Sequence, residues 1–435
     1  MQNREEASRY LEEIAGKGIV LGLDAMKELL YRLGNPQNHL QFVQVAGTNG
    51  KGSVTAYVAN ILSQAGYRTG RYTSPAVFTS EETIQVSAAG QFVPVSSAQY
   101  IEGVEALQQV LTQMAEEKRA MPTQFELETA LAFWVFARTG CEIAVIETGM
   151  GGDMDATNVV ETTVCSLLAS ISLDHQKFLG DTLEKIAFHK AGIIKPGRPA
   201  VLMGQSKAVE ETVQKFCEKQ GSPLIVTSRA NVTVAESTIE EQIFTVPKWG
   251  QIHIFLPGVF QIDNALVALE AASQLQAAGY HRIDSEAVRK GMAETVWQGR
   301  LQVLERQPVV LLDGAHNPDA AEKLVQTLEK DFTNTKFLYI MGVLADKDYA
   351  GVIGCLVRNA SGFITLTPKN NRALPAEQLA EAIHLLTEQP VTVAASISEG
   401  VHLAKQAHKT GQPVVFCGSL SFLGEIEQRW HTDGT

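Results

Sequence analysis

The chain has 435 residues, 45% hydrophobic and 19% charged, which is enough for two or three well-cored domains and too apolar for a disordered protein. Acidic residues outnumber basic ones by 48 to 36, a net charge of −12, which argues against nucleic acid or an anionic membrane surface as partner but allows a small anion at a local site. The five cysteines (Cys141, Cys165, Cys217, Cys355, Cys417) lack C-x-x-C spacing, so neither a zinc ribbon nor a disulfide framework is indicated. The acidic start MQNREEASRYLEEIAG lacks a signal-peptide pattern, and the longest apolar stretch, Ala130 to Ala137, falls far short of the ~20 residues of a membrane span. A cytoplasmic protein with reduced thiols is expected.

In chain order, Gln41 to Ala46 (QFVQVA) predicts a strand and Gly47 to Ser53 a glycine loop. Val54, Tyr57, Val58, Ile61, Leu62 and Ala65 then recur at helical spacing, with Gly66 as the stop. Thr123-Gln124-Phe125-Glu126 has the form of a capping box and opens a helix to about Arg138. Ile143 to Ile146 and Thr163 to Ile171 are further strands, and segment 228–256 alternates with period two, as a β-meander does. Gly291 to Arg300 (GMAETVWQGR) is a candidate hinge. Beyond it, Val309 to Leu312, Phe337 to Met341, Phe363 to Thr367 and Val414 to Cys417 predict strands, and Asn317-Pro318 caps and starts a helix. The alternation predicts an α/β protein with mostly parallel sheets, a large domain at 1–297 and a smaller one at 298–435.

The most informative segment is Gly47-Thr48-Asn49-Gly50-Lys51-Gly52-Ser53. Its glycines let backbone N–H groups converge on an anion, the helix N-terminus adds partial positive charge, and Lys51 adds a full one. Ser53 is placed to offer its hydroxyl to Mg²⁺ on a nucleotide's phosphates. The spacing is not that of a strict Walker loop, because Gly47 lies too near Gly50 and Gly52 separates Lys51 from Ser53. Such a loop places its partners at the carboxyl ends of neighbouring strands. Glu147 stands at one such end, as a hard oxygen ligand or a helix-capping acid, and Asp174-His175 at another. His189 lacks that placement and reads as structural. Lys190 and Lys195 read as ordinary lysines, with Lys195 near a helix end. Asp313 and His316 follow a strand, and either a site or a plain Asx turn would use them. Arg300 could reach a phosphate from the second domain or be an ordinary exposed arginine.

Taken in order, GLDAMKELLYRLGNP (22–36), VAGTNGKGSV (45–54), YTSP (72–75), FELETALAF (125–133), ETGMGGDMDATNVV (147–160), SLDHQKFLGDTLEKIAFHKAGIIKPG (172–197), LPGVFQIDNALVAL (256–269), WQGR (297–300) and LDGAHNP (312–318) cover nearly the whole chain. The chain resembles the folylpolyglutamate synthases, with or without dihydrofolate synthase activity, within the Mur-ligase superfamily. The resemblance implies a P-loop NTPase-like parallel-sheet domain with a small β-meander and a Rossmann-like C-terminal α/β domain. It implies an ATP-dependent amide ligase acting on folate or dihydropteroate, L-glutamate and ATP, and working as a cytoplasmic monomer.

The resemblance also implies residue roles. Gly47 to Ser53 would hold the ATP phosphates. Ser53, Ser74 in the loop after the first helix, Glu147 and His175 would serve two Mg²⁺ ions. Lys190 matches a lysine carried as a carbamate, which requires its neutral amine. Asn264 would contact adenine, while Arg300, Asp313 and His316 would close over nucleotide and substrate, with Lys51, Lys190 and His316 as the catalytic groups. The folate side would include Thr73, Ser74, Pro75 and Asp155. Two departures lie near the pterin side. Ala76-Val77 and Ser80-Glu81-Glu82-Thr83 stand where the family often has His-Leu and Glu-Arg, and Asp153 stands where it has arginine before DATN. The rivals are a Mur-type ligase acting on a cell-wall nucleotide and an ATP-binding switch without ligase chemistry.

Overall fold

The computed structural model describes residues 1–16, 18 and 22–432. The first sheet has eight strands: β1 (Gln41–Ala46), β2 (Thr69–Tyr72), β3 (Ile84–Ala88), β4 (Gln91–Pro94), β5 (Ile143–Glu147), β6 (Thr163–Leu168), β7 (Ala200–Leu202) and β8 (Leu224–Val226). They are ordered β4-β3-β2-β5-β1-β6-β7-β8. Pairing from β2 through β8 is parallel, and β3 and β4 form an antiparallel edge. Central β1 is buried along all but its first residue, as a strand with helices on both faces must be.

The Lys51–Gln64 helix is buried from Gly52 to Ser63, so it is apolar or small nearly all round. It packs against the helices Gln261–Ala277 and Ser285–Ala293. The predicted meander is a three-stranded antiparallel sheet, β9 (Thr233–Ser237), β10 (Gln242–Val246) and β11 (Gly250–Ile254). Phe244, Ile252, Ile254 and Trp249 join its inner face to the core around the Lys51–Gln64 helix.

The second sheet comprises β12 (Gln302–Arg306), β13 (Val309–Leu312), β14 (Phe337–Met341), β15 (Ala360–Thr365), β16 (Val391–Val393) and β17 (Val414–Cys417). Its order is β12-β13-β17-β14-β15-β16, with only β12 antiparallel. Asn317 caps the Pro318–Asp331 helix as expected, accepting from Ala320 N–H at 2.9 Å.

Three expectations shift. β15 starts earlier than Phe363, because Ala360 already pairs with Phe337. Strand β6 ends at Leu168, where Ala169 to Ile171 turn toward the phosphate loop. Gly291 is not hinge-like: it lies inside the Ser285–Ala293 helix, where an added Cβ would meet the Ile61 backbone at 2.6 Å. Helix-on-helix packing requires that glycine, and the irregular connection runs only from Glu294 to Leu301. Trp297 packs on the first domain's core and Leu301 belongs to the second's.

Candidate active site

The glycine loop leaves β1 at Ala46 and enters its helix at Lys51. Gly50 is doubly constrained, with a left-handed φ of 86° and Asn264 Oδ1 only 2.3 Å from where a Cβ would stand. Thr48 is pinned to the end of β6, donating its N–H to Ser170 O at 2.6 Å and its hydroxyl to Ser172 O at 3.0 Å. Lys51 Nζ turns back to donate to Thr48 O at 3.3 Å and faces Glu147 Oε1 at 4.0 Å. Burial lowers the Lys51 amine, against the attraction of Glu147 and Asp174. Burial also raises the Glu147 carboxyl to about 7, against Lys51 and Arg300.

Ser53 is buried, and its Oγ accepts from Gln261 Nε2 at 3.2 Å. Gln261 Oε1 in turn accepts from Asn264 Nδ2 at 2.9 Å. This fully buried glutamine therefore ties the candidate metal hydroxyl to the candidate adenine contact. Sequence reasoning passed over it. The available signal was a glutamine one turn before Asn264 on an otherwise apolar helix.

Ser74 lies two residues past β2, a strand the sequence reading did not expect between it and the helix, and its backbone N–H bonds to Glu147. Lys190, in the Leu183–Ala191 helix, is buried and donates to Gly47 O at 2.7 Å. Burial and neighbouring Lys51 bring its amine down to about 7. His175 is also depressed, to about 4, by burial and by Lys347, so its ring is neutral and able to accept or ligate. His189 is paired with Asp153 at 2.9 Å and is structural, as expected. Lys195 is not simply a charge at a helix end, because its Nζ holds Asn158 Oδ1 at 2.9 Å.

From the second domain come Arg300, Asp313 and His316, which line the same cavity as the glycine loop, Ser74, Glu147, His175, Lys190 and Asn264. Asp313 performs the Asx-turn role: its two oxygens accept from Leu301 N–H and Ala315 N–H, each at 2.8 Å. His316 Nδ1 lies 2.8 Å from Gly314 O, leaving Nε2 3.6 Å from Asp174 Oδ2. Lys347, in the turn after β14, reaches across to Asp174 Oδ1 at 2.6 Å. Burial alone would raise the Asp174 carboxyl, but His316, Lys347 and His175 outweigh it and hold it well below the usual range. Sequence reading missed Lys347, which lies six residues past the end of β14, whereas Glu147 ends β5 and Asp313 directly follows β13.

A groove continues from Ser74, Pro75, Met150 and His175 past Phe125 and Asp155 to Arg372 of the second domain. Ser74 and Pro75 line both spaces; Thr73 lines neither and is buried beneath them. Asp155 Oδ1 accepts from Thr157 N–H and Oγ1 at 3.0 and 2.6 Å, and Oδ2 from Met150 N–H at 2.8 Å. Its carboxylate thus braces the Gly149–Thr157 loop at the groove wall. Among the described residues no group of three His, Cys, Asp or Glu could by itself hold a metal ion. Ser53, Ser74, Glu147 and His175 all line the one cavity, so each could offer an oxygen or a ring nitrogen to a hard cation whose remaining ligands come from phosphate and water.

Two family models match the chain, the Mur ligase middle domain over residues 45–272 and the Mur ligase glutamate ligase domain over 299–420. The dihydrofolate synthase/folylpolyglutamate synthase of Bacillus subtilis is 32% identical over 422 residues, 95% of each chain. The chain belongs to the folylpolyglutamate synthase/dihydrofolate synthase family. Among solved structures, Mycobacterium tuberculosis folylpolyglutamate synthase complexed with ADP matches 99% of each chain, with a TM-score of 0.87 and 29% identity. Escherichia coli FolC in complex with DHPP and ADP matches 98% of this chain and 97% of its own, with a TM-score of 0.85 and 28% identity.

The departure in the loop at 76–83 has a structural reason. Val77 and Phe78 pack on the second domain's core, and Gly424 is a glycine where a Cβ would meet Val77 O at 2.6 Å. Glu82 accepts from the N–H groups of Val77, Phe78 and Thr79, holding that loop in place. The loop is thus an interdomain contact.

Gly52, the residue that breaks Walker spacing, is explained by Trp297. A Cβ on Gly52 would stand 2.5 Å from the indole, whose other neighbour is the buried Arg71 guanidinium, 5.7 Å from the ring centroid. Gly52→Ala should displace Trp297, weaken ATP binding and cost about 1–3 kcal/mol of stability, as overpacking does. Chemical denaturation measures the loss, and adding Trp297→Leu should recover much of it. No recovery in the double variant would sink this explanation of the glycine.

Proposed function

We propose that the chain is an ATP-dependent amide ligase that adds L-glutamate to the glutamate tail of a folate, giving ADP and phosphate, with dihydropteroate as the second acceptor to test. The observation that carries this reading is one cavity in which Lys51, Glu147 and Lys190 of the first domain meet Arg300 and His316 of the second, opening into the groove past Ser74. The naming of the relatives as folylpolyglutamate and dihydrofolate synthases, and the ADP and DHPP complexes, support it.

In this reading the acceptor's carboxylate oxygen attacks the γ-phosphorus of ATP, and the bond to the ADP oxygen breaks. The glutamate amine then attacks the acyl phosphate carbonyl, phosphate leaves, and the amine loses a proton. Loop N–H groups, Lys51 and Arg300 offset phosphate charge and hold the reacting atoms in line. With Nδ1 committed to Gly314 O, His316 Nε2 is the nitrogen that would take the amine's proton, and Asp174, 3.6 Å from that same Nε2, would hold the imidazolium so formed. Two Mg²⁺ ions, held through Ser53, Glu147, Ser74 and His175, would supply charge neutralisation at the phosphates. Lys190 is read as a carbamate, Asn264 as the adenine contact, and Asp313 as the brace of the second domain's edge. The two domains, 1–297 and 298–435, would close to keep water from the acyl phosphate. We read the protein as a cytoplasmic monomer; among the described residues no helix is long and apolar enough to cross a membrane.

The test incubates the protein with ATP, Mg²⁺ and L-glutamate plus tetrahydrofolate or dihydropteroate, and reads products by mass. One added glutamate per ADP formed is expected. ATP turnover stimulated by a cell-wall nucleotide precursor but by neither folate would overturn the reading.

A further inference from the structure

The side chain at the centre of the phosphate loop makes its shortest bonds to the second domain. Asn49 Nδ2 donates to Asp319 Oδ2 at 2.7 Å and to Asn317 Oδ1 at 3.2 Å, and Asn49 Oδ1 accepts from Asn317 Nδ2 at 3.1 Å. Asn317 cannot turn freely, because the same Oδ1 caps its helix by accepting from Ala320 N–H. Asp319 is fixed by Lys323 Nζ at 2.9 Å, which also reaches Ser170 Oγ at the end of β6 at 3.1 Å. Neither Asn317 nor Asp319 lines the nucleotide cavity. Within its own domain Asn49 is held only by longer bonds, from its N–H to Ser170 O at 3.3 Å and from Nδ2 to Ser172 Oγ at 3.4 Å, and glycine stands one residue after it and two before.

We propose that Asn317 and Asp319 are positioning residues for the phosphate loop, clamping Asn49 so that nucleotide retention depends on contact between the two domains. The proposal rests on reading Gly47 to Ser53 as the nucleotide loop. Two rigid acceptors and one donor, set on the first turn of a helix, define where Asn49 lies. When the domains separate, Asn49 loses these three side-chain bonds together, keeps only the longer ones to Ser170 and Ser172, and the loop loosens around the bound phosphates. Product ADP would then leave as the second domain swings away, after the acyl phosphate has been consumed in the closed state.

The experiment follows dissociation of a fluorescent ADP from the full chain by stopped flow, chased with excess ATP. Asp319→Ala removes the acceptor. Asn317→Ser still caps the helix but cannot reach Asn49. Each should speed dissociation about tenfold, the size of one charge-assisted or paired hydrogen bond. Asp319→Asn keeps an acceptor oxygen toward Asn49 and should stay near the wild-type rate. Unfolding temperatures should be unchanged in all three, which a merely structural role would not give. Wild-type release rates in both Asp319→Ala and Asn317→Ser would overturn the clamp, as would equally fast release from Asp319→Asn. Failure of the wild-type chain to bind ADP at all would instead overturn the nucleotide reading.

Discussion

Lys51→Ala is expected to lower glutamate-dependent ATP turnover by a factor on the order of 10²–10³, comparable to removing one preorganised anion-stabilising donor. Lys51 stands at the first position of its helix with its amine turned over the loop, and its side chain is only 16% exposed. In that low-dielectric setting a cation acts more strongly on a developing phosphate charge than it would in water. The loss should appear in kcat as well as in KM for ATP, because phosphate charge shifts most during transfer. Steady-state kinetics with phosphate release as readout measures it. Near-normal turnover in the alanine variant would remove Lys51 from the machinery and, with it, the loop assignment.

The second large effect is expected at Lys190. Its amine is buried and lowered to about 7, by burial first and by Lys51 next. A lowered lysine value favours the neutral amine, so near pH 7 about half the population can react with CO₂, against well under 1% at an ordinary pKa of ~10.4. As pH falls through about 7 the amine protonates and carbamate should be lost. Activity should therefore fall over that range and recover with added bicarbonate, and Lys190→Ala should lose on the order of 10²-fold in turnover and no longer respond to bicarbonate. Activity assays across pH, with and without bicarbonate, check this. An alanine variant that still responds to bicarbonate would place the carbamate elsewhere or nowhere.

Where an element and its signal are local, the sequence was readable. β1, the loop behind it, the start of the Gln124–Arg138 helix at Thr123 and the cap at Asn317 lie where their residues predict. In the capping box, Glu126 Oε2 accepts from Thr123 N–H at 2.7 Å, so a four-residue pattern is sufficient to set that helix start. Short elements with mixed composition were not readable. β2 is Thr-Gly-Arg-Tyr, and its strand character comes from pairing with β3 and β5 rather than from alternation. Gly70 within it makes room for Phe136, a contact no local pattern announces. The same holds for Gly291, which resembles a hinge glycine in sequence and serves helix packing in the fold.

At the site, the identity of the chemical groups was legible and their partners were not. Gly47 to Ser53, Glu147 and His175 could be chosen because each follows a strand, and parallel strands gather their carboxyl ends on one edge. Lys190 had no such signal; only burial beneath Gly47 separates it from a surface lysine. Gln261, Lys347 and Trp297 act through neighbours more than 170 residues away in sequence, so no periodicity or spacing records them.

The net charge of −12 and the ordered motifs thus excluded polyanionic partners and pointed to the fold class, the glycine loop and the family. Tertiary structure decided what those residues experience: a lysine brought to about 7 by burial, a glutamate raised to about 7 beside it, and a phosphate loop gripped by the other domain. The physical reason is that residue type and spacing encode local geometry. Desolvation and cross-domain hydrogen bonds exist only after distant segments have packed together.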